Sequence, residues 1–111
     1  TDATRGLVDA TFLAAMPDGA VLVNAARGSV LDTDALLAEL TSGRLRAALD
    51  VTDPEPLPAG HPLWSAPGLL LTPYVGGSVP LAMDRAFRIA AEQIRQYAGG
   101  NTPSNLVQDG Y

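Results

Sequence analysis

The chain contains no cysteine and no lysine, and it has one histidine. Without cysteine there are no disulfides and no thiolate metal sites. One histidine among scattered acids lacks the spacing of a metal site, so no metal is expected. All seven cations are arginines, set against twelve acids, for a net charge of −5. An acidic chain without a basic cluster argues against nucleic acid as a partner. No apolar run approaches the roughly 20 residues of a membrane span, and no signal peptide is visible, so neither a membrane nor a secretory route is indicated. There is no G-x-G-x-x-G turn, no internal repeat and no low-complexity segment. The absence of cysteine is compatible with the cytoplasm, which is the expected location. The chain opens on Thr1 rather than Met and reads as a piece of something longer, or as a chain whose start has been removed.

What is present is a globular composition. Hydrophobic residues make up 47% of 111 positions and charged ones 17%, enough for one domain with a real core. The first stretch, to Val8, reads as a loop. Asp9 is placed to cap a helix over 10–16 with Phe12, Leu13 and Met16 on one face. Pro17-Asp18-Gly19 turns the chain. Residues 20–24 form a consecutive apolar run that fits a strand buried on both faces, and Asn24 and Gly28 bracket its exit as residues tolerant of unusual backbone angles. Asp32 caps a second helix running to about Thr41 on Leu36, Leu37 and Leu40, with Gly43 as its stop. A second strand spans 46–51. Five prolines between 52 and 67 leave a long stiff loop, a common place for function. Leu69-Leu70-Leu71 is a third strand, stopped by Thr72-Pro73. Ser78 is placed to cap a last helix over about 79–98. Met83, Phe87, Ala90, Ile94 and Tyr97 form its apolar stripe, read as core. A polar tail follows, anchored only by Leu106-Val107.

Alternation of this kind implies an α/β fold with a mostly parallel sheet and right-handed crossovers. In such sheets ligands sit beyond the carboxyl ends of the strands. Four polar groups fall there: Arg27, Asp50, Glu55 and Tyr74. Arg27 carries a permanent charge on a planar fork that suits a carboxylate or phosphate, and reads equally as a solvated loop arginine. Asp50 and Glu55 read either as site carboxylates or as ordinary loop acids. Tyr74 reads either as a site phenol or as a half-buried aromatic. His61, between Gly60 and Pro62, reads as a loop residue with a backbone partner.

These residues resemble a known family. Thr4-Arg5-Gly6-Leu7, Asn24-Ala25-Ala26-Arg27-Gly28, Ala48-Leu49-Asp50-Val51, Asp53-Pro54-Glu55-Pro56-Leu57-Pro58, His61-Pro62-Leu63 and Leu71-Thr72-Pro73 stand in the order seen in D-isomer-specific 2-hydroxyacid dehydrogenases. The closing Gly100-x-x-Pro103-x-Asn105-x-Val107 is similar too, and the likeness covers nearly the whole chain. The resemblance implies the second half of a Rossmann-like, doubly wound cofactor domain over 1–78. It also implies a connecting helix and tail over 79–111 that return to a substrate domain. It implies hydride transfer between NAD or NADP and a 2-oxo or D-2-hydroxy acid, in a protein that is usually a homodimer.

By position, Arg27 would bind the substrate's carboxylate and carbonyl, and Asp50 the nicotinamide carboxamide. Ala25, Ala26, Val75, Gly76 and Gly77 would line the nicotinamide through backbone groups, with Arg27 and Tyr74 beside it. Glu55 would pair with the acid/base. That acid/base is a histidine after Thr-Pro in the family; here the residue is Tyr74. A phenol keeps its proton to about pH 10, so it can donate but abstracts poorly. Three readings stay open on the sequence: a reductase of 2-oxo acids, a non-catalytic binding member, and a structural unit only.

Overall fold

A computed structural model describes residues 2–106; Thr1, Val107 and the rest of the tail lie outside the described residues. The described chain falls into two compact units, Asp2–Gly76 and the residues from Gly77 onward.

In the first unit the order is α1 (Ala10–Ala15), β1 (Val21–Asn24), α2 (Thr33–Thr41), β2 (Arg46–Leu49) and β3 (Leu69–Leu71). The three strands make one parallel sheet in the order β1-β2-β3. Asp9 caps α1 by accepting from the Phe12 amide, and Asp32 caps α2 by accepting from the Ala35 amide, as their positions predict. The core joins Leu13 of α1, Leu36 and Leu40 of α2, and Ala47 and Leu49 of β2; Leu31, Leu45 and Leu63 complete it. Arg44 ties the helices together. Its guanidinium donates to the carbonyls of Leu13 and Met16 at the end of α1 and to Glu39 Oε2 of α2, the last at 2.6 Å.

Several expectations need correcting. The first residues are not a free loop: the amides of Gly6 and Val8 donate to the carbonyls of Ser29 and Val30, and Val8 bridges Leu31 in parallel. Phe12 is half exposed, and Leu13 alone of α1 is buried. β1 is not buried on both faces. Val21 and Val23 are exposed, and so is Leu70 of β3. Val23, Ala48 and Leu70 lie side by side across the three strands. Successive side chains alternate faces, and in this unit the core cluster packs on one face only.

The second unit carries α3 (Ala82–Ala98). Ser78 does not cap it. The helix starts after Leu81, which sits at φ 72° and provides no side-chain cap. The reason is local: Pro80 disfavours helical angles at Val79, so the helix begins only beyond the proline. Its stripe is amphipathic as predicted but is not core. Met83, Phe87, Ile94 and Tyr97 are exposed, and no residue of α3 is buried. After the helix, the amides of Ser104 and Asn105 donate to the side-chain carbonyls of Gln96 and Gln93, folding the start of the tail back on α3. Leu106 is more than half exposed, and Val107, the other half of the expected anchor, lies outside the described residues.

Candidate active site

Because all three strands run parallel, their carboxyl ends share one edge, and the polar candidates follow those ends. The corner after β1 is built by Asn24. Its side-chain carbonyl accepts from the Ala26 amide at 3.0 Å, and its side-chain amide donates to the Arg27 carbonyl at 2.9 Å. Asn24 is thus present for hydrogen bonds, not for backbone tolerance. Gly28 has a different reason again. A Cβ there would lie 1.9 Å from the Thr52 carbonyl oxygen, so the proline-rich loop passes directly over it. Arg27 stands exposed, donates to its neighbour's carbonyl at 2.7 Å, and forms no ion pair among the described residues.

Asp50 follows β2, and its amide donates to the Asn24 carbonyl at 2.9 Å, which ties the two strand ends together. Its carboxylate gathers the segment after β3. Oδ1 accepts from the Thr72 hydroxyl and from the Val75 amide at 2.9 Å; Oδ2 accepts from the Gly76 amide at 2.7 Å. The Thr72 hydroxyl first, then the two amides, hold this carboxyl below the usual carboxylate range, against a smaller opposing effect of burial. A Cβ at Gly76 would sit 2.8 Å from Oδ2, so a larger residue there would push the carboxylate aside.

Asp50, Glu55 and Tyr74 line one cavity of about 490 Å³, with Thr52, Thr72 and an apolar wall that includes Leu57, Trp64 and Pro73. Tyr74 is half exposed and adopts φ 54°. Neither its hydroxyl nor the Glu55 carboxylate is hydrogen-bonded among the described residues. Ala25, Ala26 and Arg27 share the sheet edge but do not line this cavity. Gly77 opens the second unit. His61 is a cap: its Nδ1 accepts from the Leu63 amide at 3.2 Å and starts a short turn over Pro62–Ser65.

Neither Thr72 nor Trp64 carries a site signal in the sequence. Thr72 was legible only as a strand stop, and its partner lies 22 positions away. Trp64 is fixed by donating its indole N–H to the Pro58 carbonyl at 2.8 Å, a bond that local pattern does not announce.

Residues 1–76 match the family model of the D-isomer specific 2-hydroxyacid dehydrogenase NAD binding domain. The chain belongs to that family. A glyoxylate reductase from Aeropyrum pernix is 39% identical over 108 residues, covering 96% of this chain and 32% of that protein. A D-isomer specific 2-hydroxyacid dehydrogenase from Xanthobacter autotrophicus Py2, solved in complex with NADPH and MES, is 41% identical. It superposes with a TM-score of 0.87 over 97% of this chain and 44% of that one. An NADPH-dependent glyoxylate/hydroxypyruvate reductase from Sinorhizobium meliloti, in complex with NADP and sulfate, is 29% identical with a TM-score of 0.83 over 97% of this chain and 35% of that one. The fold is therefore the α/β, Rossmann-like fold of this family's NAD binding domain. The chain spans only 26% to 32% of the length of the first relatives it matches. Among the described residues no helix is long and apolar enough to cross a membrane.

Proposed function

We propose that the protein is an NAD(P)-dependent oxidoreductase that interconverts a 2-oxo acid and a D-2-hydroxy acid. This chain supplies the second half of the cofactor domain over 1–78, and a connecting helix and tail over 79–111. The observation that carries the reading is the convergence of Asp50, Glu55 and Tyr74 on one cavity at the carboxyl edge of the sheet.

The residues fit the nicotinamide end of a dinucleotide. A carboxylate has about four acceptor positions, and three on Asp50 are filled by Thr72, Val75 and Gly76. One position on Oδ2 is left for a carboxamide N–H. Ala25, Ala26, Val75, Gly76 and Gly77 would line the ring with backbone groups, beside Arg27 and Tyr74. When bound, the nicotinamide supplies the hydride. Arg27 holds the substrate carboxylate and carbonyl through paired N–H donors. Tyr74 carries a proton at Oη and gives it to the carbonyl oxygen of the 2-oxo acid. Glu55 lines the same cavity and would pair with the proton donor, the role that the family resemblance gives it. A cytoplasmic homodimer is part of the same proposal and rests on the family resemblance alone.

The test is consumption of NADH or NADPH by the full-length protein with glyoxylate, hydroxypyruvate and larger 2-oxo acids. Turnover that disappears in Arg27→Ala supports the reading. A second reading, a non-catalytic binding member, is favoured by Tyr74 standing where the family has histidine. It gains if cofactor binds and no 2-oxo acid is reduced.

A further inference from the structure

The three hydrogen bonds on Asp50 come from one short stretch of chain, and they straddle Tyr74. Thr72 lies two residues before it; Val75 and Gly76 are the two residues after it. Between these fixed points Tyr74 holds φ 54°, a conformation that an L side chain disfavours and that its surroundings must impose. Its amide donates to the Thr72 carbonyl at 3.0 Å, closing a tight turn. No polar contact of the phenol fixes it, because its hydroxyl has no hydrogen bond among the described residues. The ring's placement in the cavity therefore depends on the backbone on either side: the Thr72 amide is held by the Leu49 carbonyl of β2, while the Thr72 hydroxyl and the amides of residues 75 and 76 are held by the Asp50 carboxylate.

We propose that Asp50 is the positioning residue for Tyr74: its carboxylate staples residues 72–76 into the one turn that presents the phenol to the cavity. This role is separate from the carboxamide contact, and the proposal rests on the reading of Tyr74 as the proton donor. The staple needs the ionised form. All three partners are donors, and a protonated carboxyl or an asparagine would set a donor of its own against one of them. The other titratable groups lining the cavity are Glu55 and Tyr74, and no cation lines it. The hydroxyl and amides are thus the groups that stabilise the charge.

The experiment follows the Val75 and Gly76 amide protons of the ¹⁵N-labelled full chain from about pH 7 down to about pH 2, past the ordinary carboxylate range. A ¹³C-labelled Tyr74 ring is followed alongside, assigned by its loss in Tyr74→Phe. Both amides and the ring are expected to shift together, with a midpoint below that of an ordinary aspartate. Thr72→Val should raise that midpoint, and Thr72→Ser should restore it. In the full-length protein, Thr72→Val should lower kcat for reduction roughly 10- to 100-fold, the scale of a misplaced reacting group, while KM for the cofactor holds. Separate midpoints for the amides, a ring that ignores the titration, or an unmoved midpoint in Thr72→Val would each overturn the staple. A raised cofactor KM with unchanged kcat would assign the network to cofactor binding and overturn the positioning role. Absence of turnover in the unaltered protein would instead count against the proposed reaction, and the two amides would still decide the staple.

Discussion

Tyr74 combines a strained backbone with an unusual side chain for its place. A left-handed conformation costs an L residue roughly 1–2 kcal/mol, and Tyr74 holds it at φ 54°. A neutral phenol already carries the proton that ketone reduction consumes, whereas alcohol oxidation needs a base. Few phenols are ionised about three units below their ordinary pKa. Reduction should therefore outrun oxidation near neutral pH, and the oxidative rate should climb on the alkaline side. Tyr74→His should restore oxidation near pH 7, because imidazole titrates there. Tyr74→Phe should depress both directions by something like 10²–10⁴. The pH profiles of both directions in the three proteins check this. Turnover by Tyr74→Phe at the parent rate would make Tyr74 a packing residue. Arg27 belongs to the same scale. Replacing its fork by the single ammonium of Arg27→Lys should lower kcat/KM for the 2-oxo acid roughly 10- to 100-fold. A near-normal value would remove Arg27 from the substrate clamp.

At the scale of the elements, two close contacts hold loops and helices in place. Gly28 lies under the backbone of Thr52 and Asp53, with 1.9 Å from an added Cβ to the Thr52 oxygen. Neither backbone can step aside without moving the exit of β2. Gly28→Ala should therefore destabilise by roughly 1–3 kcal/mol or more, the usual range for overpacking, and thermal unfolding of the full chain would show it. The second contact is the Arg44–Glu39 pair, which joins α2 to the end of α1. The Arg44 hydrogen bond, more than its charge, holds the Glu39 carboxyl below its usual range. A depressed folded-state pKa means stability that is present above the ordinary carboxylate value and lost as pH falls through the depressed one. Asp50 has the same sign. The thermal midpoint should thus be flat near neutrality and fall once the pH drops below the ordinary carboxylate range. Glu39→Gln should start lower and lose less on acidification. Parallel curves for the two proteins would mean that the pair contributes nothing to acid sensitivity. Sequence pattern found both caps, Asp9 and Asp32, because a cap is a contact three residues long. It missed the Arg44 staple, whose partners lie up to 31 positions away.

For the molecule as a whole, the parallel sheet and its shared carboxyl edge were legible because helix and strand alternate; the order β1-β2-β3 was not, since β3 joins β2 through a long loop rather than a helix. Burial was less legible. Val21, Val23 and Leu70 are as apolar as a two-sided strand requires, yet they are exposed, since hydrophobicity states a preference and not a partner. The site was legible as residue types on one edge; its wiring through Thr72, Val75 and Gly76 was not.

The same inventory argues for the last prediction, that the 111 residues alone bind NAD(H) only weakly. A dinucleotide's pyrophosphate is held at a helix N-terminus by free amides and a favourable dipole. Here Asp9 occupies the start of α1 and Asp32 that of α2, each taking an amide for its own carboxylate. Asp34 and Asp84 add negative charge to the first turns of α2 and α3. The sequence has no Gly-rich turn, and the chain's net charge of −5 opposes a diphosphate further. Only the nicotinamide end finds acceptors and backbone, at Asp50 and the segment it holds. Calorimetry on the chain should return a Kd of about millimolar or weaker, worth roughly 4 kcal/mol or less, little changed between NADH and reduced nicotinamide mononucleotide. A micromolar Kd, or a large loss of affinity on removing the adenylate half, would place a phosphate site in this chain and overturn the argument.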